Sequence, residues 1–377
     1  MKTTLQDKIW LSSPHMGGTE QDYVKEAFDT NWIAPLGPNV TGFELDIQSY
    51  LGQDSHVAVL SSGTAALHLG LQLLGVGRDD EVLCQSFTFS ASANPIVYLG
   101  AIPIFIDSER ETWNISPELL ETAIKDRIQH GKKPKAIVSV HLYGMPYKVK
   151  EVHEIAEKYD IPILEDSAEA LGSTFKGGKC GTFGDIAVLS FNGNKIITTS
   201  GGGAMVSKNK DTIDKAIHLA TQARDNAVHY QHSEIGHNYR MSNVLAGIGR
   251  GQMEVLDDRV GARRLNHQFY LDHLNAIPEI EFLKEPEGYF SNRWLSCILT
   301  PSYDIREQIR LALWDGNIES RPLWKPMHLQ PVFKDSPNYT DGTSEDLFNR
   351  GLCLPSGSNL LEEDLKRIVR IIKFALS

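Results

Sequence analysis

Cysteine is scarce in this chain. There are four in 377 residues, Cys84, Cys180, Cys297 and Cys353, and no two form a Cys-x-x-Cys pair. That excludes a zinc knuckle or a dithiol redox motif, and no other metal-ligand spacing stands out. Scattered thiols of this kind fit a reduced, cytoplasmic protein. Long apolar runs are also missing: no stretch approaches the roughly 18 residues of a membrane span. The polar, mixed-charge segment Met1–Trp10 lacks the apolar run of a signal peptide. Positive charge is short, with 37 Lys and Arg against 48 Asp and Glu and a formal net charge of −11. A field of that sign disfavours nucleic acid and anionic lipid. It leaves room for a small anion held by local positive groups. No Gly-x-x-x-x-Gly-Lys loop is present, and Gly75-Val76-Gly77 follows a helical pattern and not a strand, so neither nucleotide fingerprint applies.

What is present is alternation. Short apolar runs at His56–Leu60, Glu81–Gln85, Ile102–Ile106, Ala136–Val140 and Ile161–Leu164 read as strands. Helical patterns lie between them at Thr64–Leu74, Ala91–Leu99, Pro117–Gln129 and Val149–Tyr159. Ile186–Phe191 and Gly203–Ser207 read as two further strands with no long helix between them. This rhythm predicts an α/β fold, a mostly parallel sheet with helices on both faces, whose ligands bind at the carboxyl ends of the strands. A long helical pattern covers Ser242–Leu274. Beyond it the rhythm changes to short strands at Ile280–Leu283, Trp294–Thr300 and Ile318–Arg321, and helices at Ile305–Trp314 and Glu362–Leu376. The expected division is a large domain over 1–256 and a smaller C-terminal α/β domain over 257–377. Lys325–Ser344, rich in Pro, His and polar residues, reads as a surface loop or a site loop.

Three local patterns carry chemistry. Ser61-Ser62-Gly63-Thr64 follows a strand and opens a helix. Free N–H groups there can hold an anion, although the same pattern also serves as a plain capped turn. Glu165-Asp166-Ser167-Ala168-Glu169 ends a strand, so Asp166 either caps the next turn or faces a cationic ligand at the mouth of the sheet. Lys195 closes the run Ser190-Phe191-Asn192-Gly193-Asn194-Lys195, ahead of the triple Gly201-Gly202-Gly203. Most lysines are solvated, but small, glycine-rich flanks suit close approach of a ligand.

In that order the three patterns resemble the fold-type I enzymes related to aspartate aminotransferase, and more narrowly the DegT family of sugar aminotransferases. The likeness runs over nearly the whole chain. It includes Ser62 to Leu67, Thr88-Phe89 to Asn94, Gly100 to Pro103, His141-Leu142-Tyr143-Gly144, Glu165 to Glu169, Ser190 to Lys195, and Gly236 to Met241. The resemblance implies pyridoxal 5'-phosphate as cofactor. Lys195 would form the Schiff base and shuttle the proton. Asp166 would bind the pyridine nitrogen, a pair worth roughly 4 kcal/mol at about 4 Å and an effective dielectric near 20, before desolvation. Phe89 would stack on the ring, and Ser62, Gly63, Thr64 and Ser190 would hold the phosphate. Asn238 would reach the phosphate of a neighbouring subunit, which implies a homodimer with shared sites. Glu169, where many relatives have Gln, would stand near the ring's phenolate oxygen. The donor would be L-glutamate. Ile318 to His328 resembles the same stretch in enzymes that aminate carbon four of a UDP-linked 4-keto-6-deoxy-N-acetylglucosamine, whose product would be the precursor of bacillosamine-type glycans; a GDP-linked 4-keto-6-deoxymannose or a 3-keto sugar stays open as the acceptor. Arg240, Arg321 and Lys325 would then face a diphosphate and His328 the sugar. Each of these four also reads as an ordinary salt-bridge or loop residue.

Overall fold

In a computed structural model describing residues 7–377, the predicted alternation becomes an eight-stranded sheet. Of the N-terminal segment Met1–Trp10, Met1–Gln6 lies outside the described residues. The strand order is His56–Leu60, Gly203–Ser207, Ile186–Ser190, Ile163–Asp166, Ala136–Val140, Glu81–Gln85, Ile102–Ile106 and Asn338–Tyr339. Every neighbouring pair is parallel except those made by Gly203–Ser207, which runs antiparallel to both its neighbours. The absence of a long helix between the Ile186 and Gly203 strands has this result: a short return can only bring the chain back antiparallel.

The strands are buried on both sides, which is why they read as nearly continuous apolar runs. Alternate residues still face different layers. Val82, Cys84, Phe105, Val138 and Leu164 pack with Leu67, Leu69 and Leu71 of the helix Gly63–Leu73. Leu83, Ile104, Ile106, Ile137 and Ile163 pack on the other face with Leu120 and Ile124 of Pro117–Gln129 and Val152 of Val149–Tyr159. Burying one such side chain contributes about 2 kcal/mol, so the two layers fix the sheet's register and its carboxyl edge.

A second sheet is antiparallel, in the order Glu281–Phe282, Ser296–Leu299, Gly351–Leu354 and Arg321–Pro322. The final helix Glu362–Leu376 covers it with Leu365, Ile368, Val369 and Ile372, spaced for a single face.

Three expectations about the elements change. The Ser242–Leu274 pattern is two helices, Asn243–Glu254 and Leu256–Leu274, broken at Val255 (φ −114°, ψ 10°). The first packs on the helices Glu20–Asp29 and Pro38–Leu51, and the second carries Tyr270 and Leu274 into the C-terminal core. One periodicity therefore spans two helices with different partners. Ala91–Leu99 is a 3₁₀ turn followed by the short helix Asn94–Tyr98. Lys325–Ser344 is neither loop alternative in full. It buries Met327 and Phe333 in the large-domain core and adds the edge strand Asn338–Tyr339. That segment crosses the division expected at residue 257. Ile9 crosses it the other way, pairing with Ile318 and joining the C-terminal core.

Candidate active site

The carboxyl ends of the parallel strands open on a cavity of about 300 Å³. Its lining includes Ser62, Gly63, Thr64, Phe89, Asp166, Glu169, Ser190 and Lys195. The fold thus brings together eight of the nine residues assigned to the cofactor, drawn from segments more than 130 residues apart in sequence.

At one end of the cavity, Ser62 caps the helix Gly63–Leu73, its hydroxyl accepting from the Ala65 N–H at 3.0 Å. The first N–H groups of the helix have no intrahelical acceptor and carry the positive end of its dipole. Ser190, at the end of its strand, lies against this turn. A Cβ on Gly63 would come within 3.0 Å of the Ser190 Cβ, and one on Gly203 within 2.4 Å of the Gly63 nitrogen. The glycines let two chain segments close into a cradle lined by N–H and O–H donors.

Asp166 is buried and both its oxygens are fixed. Oδ1 accepts from the Ala168 N–H at 3.1 Å and Oδ2 from the Ser92 hydroxyl at 2.7 Å. Ser92 is in turn 2.8 Å from the Thr88 hydroxyl. Behind Asp166 stands Glu165, a wholly buried carboxylate that sequence reasoning did not single out. It accepts from His141 Nε2, the Ser167 hydroxyl and the N–H groups of Gly181, Phe183 and Gly184. His141 Nδ1 lies 3.2 Å from the Tyr147 N–H and accepts from it, so Nε2 carries the hydrogen that meets Glu165. Burial alone would raise the Glu165 pKa. The His141 bond and the backbone donors outweigh it and hold the group down to about 2. This network anchors the strand end from which Asp166 projects.

Lys195 Nζ rests over the Trp294 ring, 4.2 Å from its centre, and 3.6 Å from Glu169 Oε1. The other Glu169 oxygen accepts from the Tyr143 N–H at 2.7 Å. Burial pushes the Glu169 carboxyl above the usual range, although the Lys195 ammonium and the Tyr143 N–H oppose the shift. Tyr143 takes a left-handed backbone (φ 54°), a cost of about 1–2 kcal/mol for a non-glycine residue. Its ring is stacked between Trp294 and Trp324, and its hydroxyl accepts from the Trp324 N–H at 2.8 Å. Phe89 is half exposed at the rim and packs against Trp324 with ring centres 5.4 Å apart.

The remaining residues lie elsewhere. Asn238 is exposed, outside this cavity, its side-chain oxygen accepting from Gln222 at 3.1 Å. Arg240 and His328, expected at the substrate, are engaged within the chain. Arg240 bonds Glu44 at 2.8 Å and the Val59 carbonyl at 3.1 Å, and its side chain is 9% exposed. His328 sits 2.6 Å from the Ser86 hydroxyl and 3.3 Å from Glu345. Arg321 is exposed and bonds Glu319, and Lys325 is exposed beside Trp324. None of these four lines the cavity. Ser92 and Trp324 fall within stretches that carried the resemblance, whereas nothing local marks Trp294, which folding brings to Lys195 from 99 positions away.

An amine, a fixed carboxylate and an anion cradle share this one cavity. Fold and cavity together define a fold-type I aminotransferase that uses pyridoxal phosphate. The chain belongs to the DegT/DnrJ/EryC1/StrS aminotransferase family, which it matches over residues 14–373. It is 51% identical to the protein EpsN of Bacillus subtilis (strain 168), covering 98% of this chain and 96% of the other. It is 39% identical to the GDP-perosamine synthase of Escherichia coli O157:H7, covering 95% of each. Among solved structures, the PLP form of Spr1654 from Streptococcus pneumoniae superposes with a TM-score of 0.90 at 26% identity, covering 98% of both chains. The residues present fit the cofactor. The cradle closed by Gly63 and Ser190 offers donors to a phosphate, Asp166 offers a fixed negative charge to a ring nitrogen, and Lys195 offers the amine. Among the described residues no group of side chains suited to a metal ion occurs, and no helix is long and apolar enough to cross a membrane.

Proposed function

We propose that this sugar aminotransferase moves the amino group of L-glutamate to the 4-keto carbon of a nucleotide-linked 4-keto-6-deoxy sugar, with UDP-4-keto-6-deoxy-N-acetylglucosamine as acceptor. The observation that carries the reading is the placement of Lys195 and Asp166 in one cavity with the anion cradle. When bound, pyridoxal phosphate supplies an electron sink for the pair left behind as a proton leaves the donor's α-carbon. Each part of the chain then has its own task. The N–H groups at Gly63 and Thr64 and the Ser190 hydroxyl bind phosphate. Asp166, locked by Ala168 and Ser92, keeps negative charge opposite the ring nitrogen. The Lys195 amine takes and returns the proton. The Trp294 ring below it excludes water on that side and holds the ammonium by about 0.5–2 kcal/mol.

The stretch from Ile318 to His328 supports the UDP-linked acceptor, with the exposed Arg321 and Lys325 supplying positive charge to a diphosphate. A second reading, a GDP-linked sugar, is favoured by the 39% identity to GDP-perosamine synthase. The proposal includes a cytoplasmic homodimer in which the exposed Asn238 reaches the partner's phosphate. Two experiments test the reading. Borohydride reduction followed by peptide mapping should label Lys195, and a label found elsewhere or nowhere overturns it. A panel of UDP- and GDP-linked 4-keto sugars with glutamate should show turnover, and the preferred nucleotide decides between the two acceptors.

A further inference from the structure

Arg263, on the helix Leu256–Leu274, is 1% exposed, and no carboxylate among the described residues bonds or pairs with it. Burial and the neighbouring Arg259 cation lower its pKa to about 9, still high enough to keep it charged at neutral pH. An enclosed cation without a counter-ion is expensive, and an apolar side chain of similar volume would cost the fold less. Stability therefore does not account for it, whereas its partners do. Nη1 donates to the Trp294 carbonyl at 2.6 Å. Nη2 donates to the Ser12 hydroxyl at 2.9 Å and reaches the Lys195 carbonyl at 3.4 Å. The Ser12 hydroxyl and the Trp294 indole N–H both donate to the Asn194 carbonyl, each at 2.7 Å. One guanidinium thus joins the main chain of the amine-bearing loop to the main chain of the ring on which that amine rests. Within the loop itself the Lys195 N–H has a single backbone bond, to the Asn192 carbonyl at 3.0 Å.

We propose that Arg263 is a positioning residue: it fixes the Lys195–Trp294 pair and so sets the approach of the Lys195 amine to the reacting carbon. The inference rests on Lys195 being the reacting amine. The two terminal nitrogens of a planar fork reach two carbonyls and a hydroxyl at once in a fixed relative geometry, which a lysine head cannot do. Misplacing a reacting group by about 1 Å costs on the order of 100-fold in rate.

The test uses holoenzyme carrying Arg263→Lys, which keeps the charge and loses the fork, with Ser12→Ala as a second, milder variant. For Arg263→Lys we expect kcat of the glutamate half-reaction to fall about 10–100-fold with KM within about twofold. The circular dichroism of the bound-cofactor band should weaken, because a loosely held chromophore loses its fixed asymmetry. Ser12→Ala should move both readouts in the same direction by a smaller amount. Unchanged kcat and dichroism in a folded Arg263→Lys protein overturn the inference. If that variant does not fold, unchanged kcat and dichroism in Ser12→Ala overturn it. Borohydride labelling of the wild type keeps the two claims apart. No label at Lys195 sinks the functional reading, whereas a label at Lys195 with unmoved variants sinks only the role of Arg263.

Discussion

The proposed cofactor end and the proposed sugar end are built on different principles. At the cofactor end, Ser62 to Thr64, Asp166, Ser190 and Lys195 each follow or end a strand of the main sheet, and every one of them reaches the cavity. At the proposed sugar end, Lys325 and His328 lie on the connecting segment that also carries the edge strand Asn338–Tyr339, Arg321 opens the strand Arg321–Pro322 of the second sheet, and none of the three reaches the cavity. A strand end is aimed by the whole sheet, so its side chain inherits the sheet's precision. A polar side chain on a connecting segment takes whichever partner is nearest. Ser86 and Glu345 take His328.

Substitutions can break or sharpen this contrast. Lys195→Ala should cut turnover on the order of 10⁴-fold and abolish borohydride labelling, with melting temperature little changed. Residual turnover near wild type would remove the cofactor end from the chemistry. Asp166→Asn should keep the side chain's shape but lose the charge and one of its two acceptors, lowering kcat about 100-fold. Glu165→Gln tests the anchor behind it. The amide brings an NH₂ against backbone donors, so stability should fall by about 3 kcal/mol in denaturant titration. The sign with pH follows from the depressed Glu165 value. Its stabilisation is fully present above the ordinary carboxylate range and is lost as pH falls toward about 2. The wild-type stability curve should therefore drop on the acid side, and the variant's should be flatter there.

Smaller effects separate the two ends further. Glu169 is held above the usual carboxylate range by burial, so it keeps its proton to higher pH than an exposed glutamate. The acid limb of kcat should therefore lie above that range in the wild type and vanish in Glu169→Gln, with kcat itself changed less than about tenfold. Lys325→Ala and Arg321→Ala should raise the acceptor KM by only about two- to fivefold and leave the glutamate half-reaction untouched. A hundredfold loss in the glutamate step would erase the distinction between the ends.

The residues that meet in the cavity were legible because their signals are local. A cap, a strand-terminal acid and a lysine before three glycines each announce themselves within a few residues. The parallel sheet was legible from the strand–helix rhythm; the antiparallel direction of Gly203–Ser207 came only with the fold, although the missing helix before it was read. The break at Val255 was not, because both helices keep one periodicity while packing on different cores. Arg263 and Trp294 were not, because each matters only through a neighbour distant in sequence.

The sequence by itself determined the alternation of strands and helices from His56 to Ser207, the chemical types at the sheet's mouth and the family. Those depend on short-range pattern, which survives without a fold. Tertiary structure decided which side chains are free and which are committed: Arg240 bound to Glu44, Lys195 resting on Trp294, and Asp166 locked by Ser92. The physical reason is that a polar group's availability depends on the partners packed against it, and those partners are set only when distant segments meet.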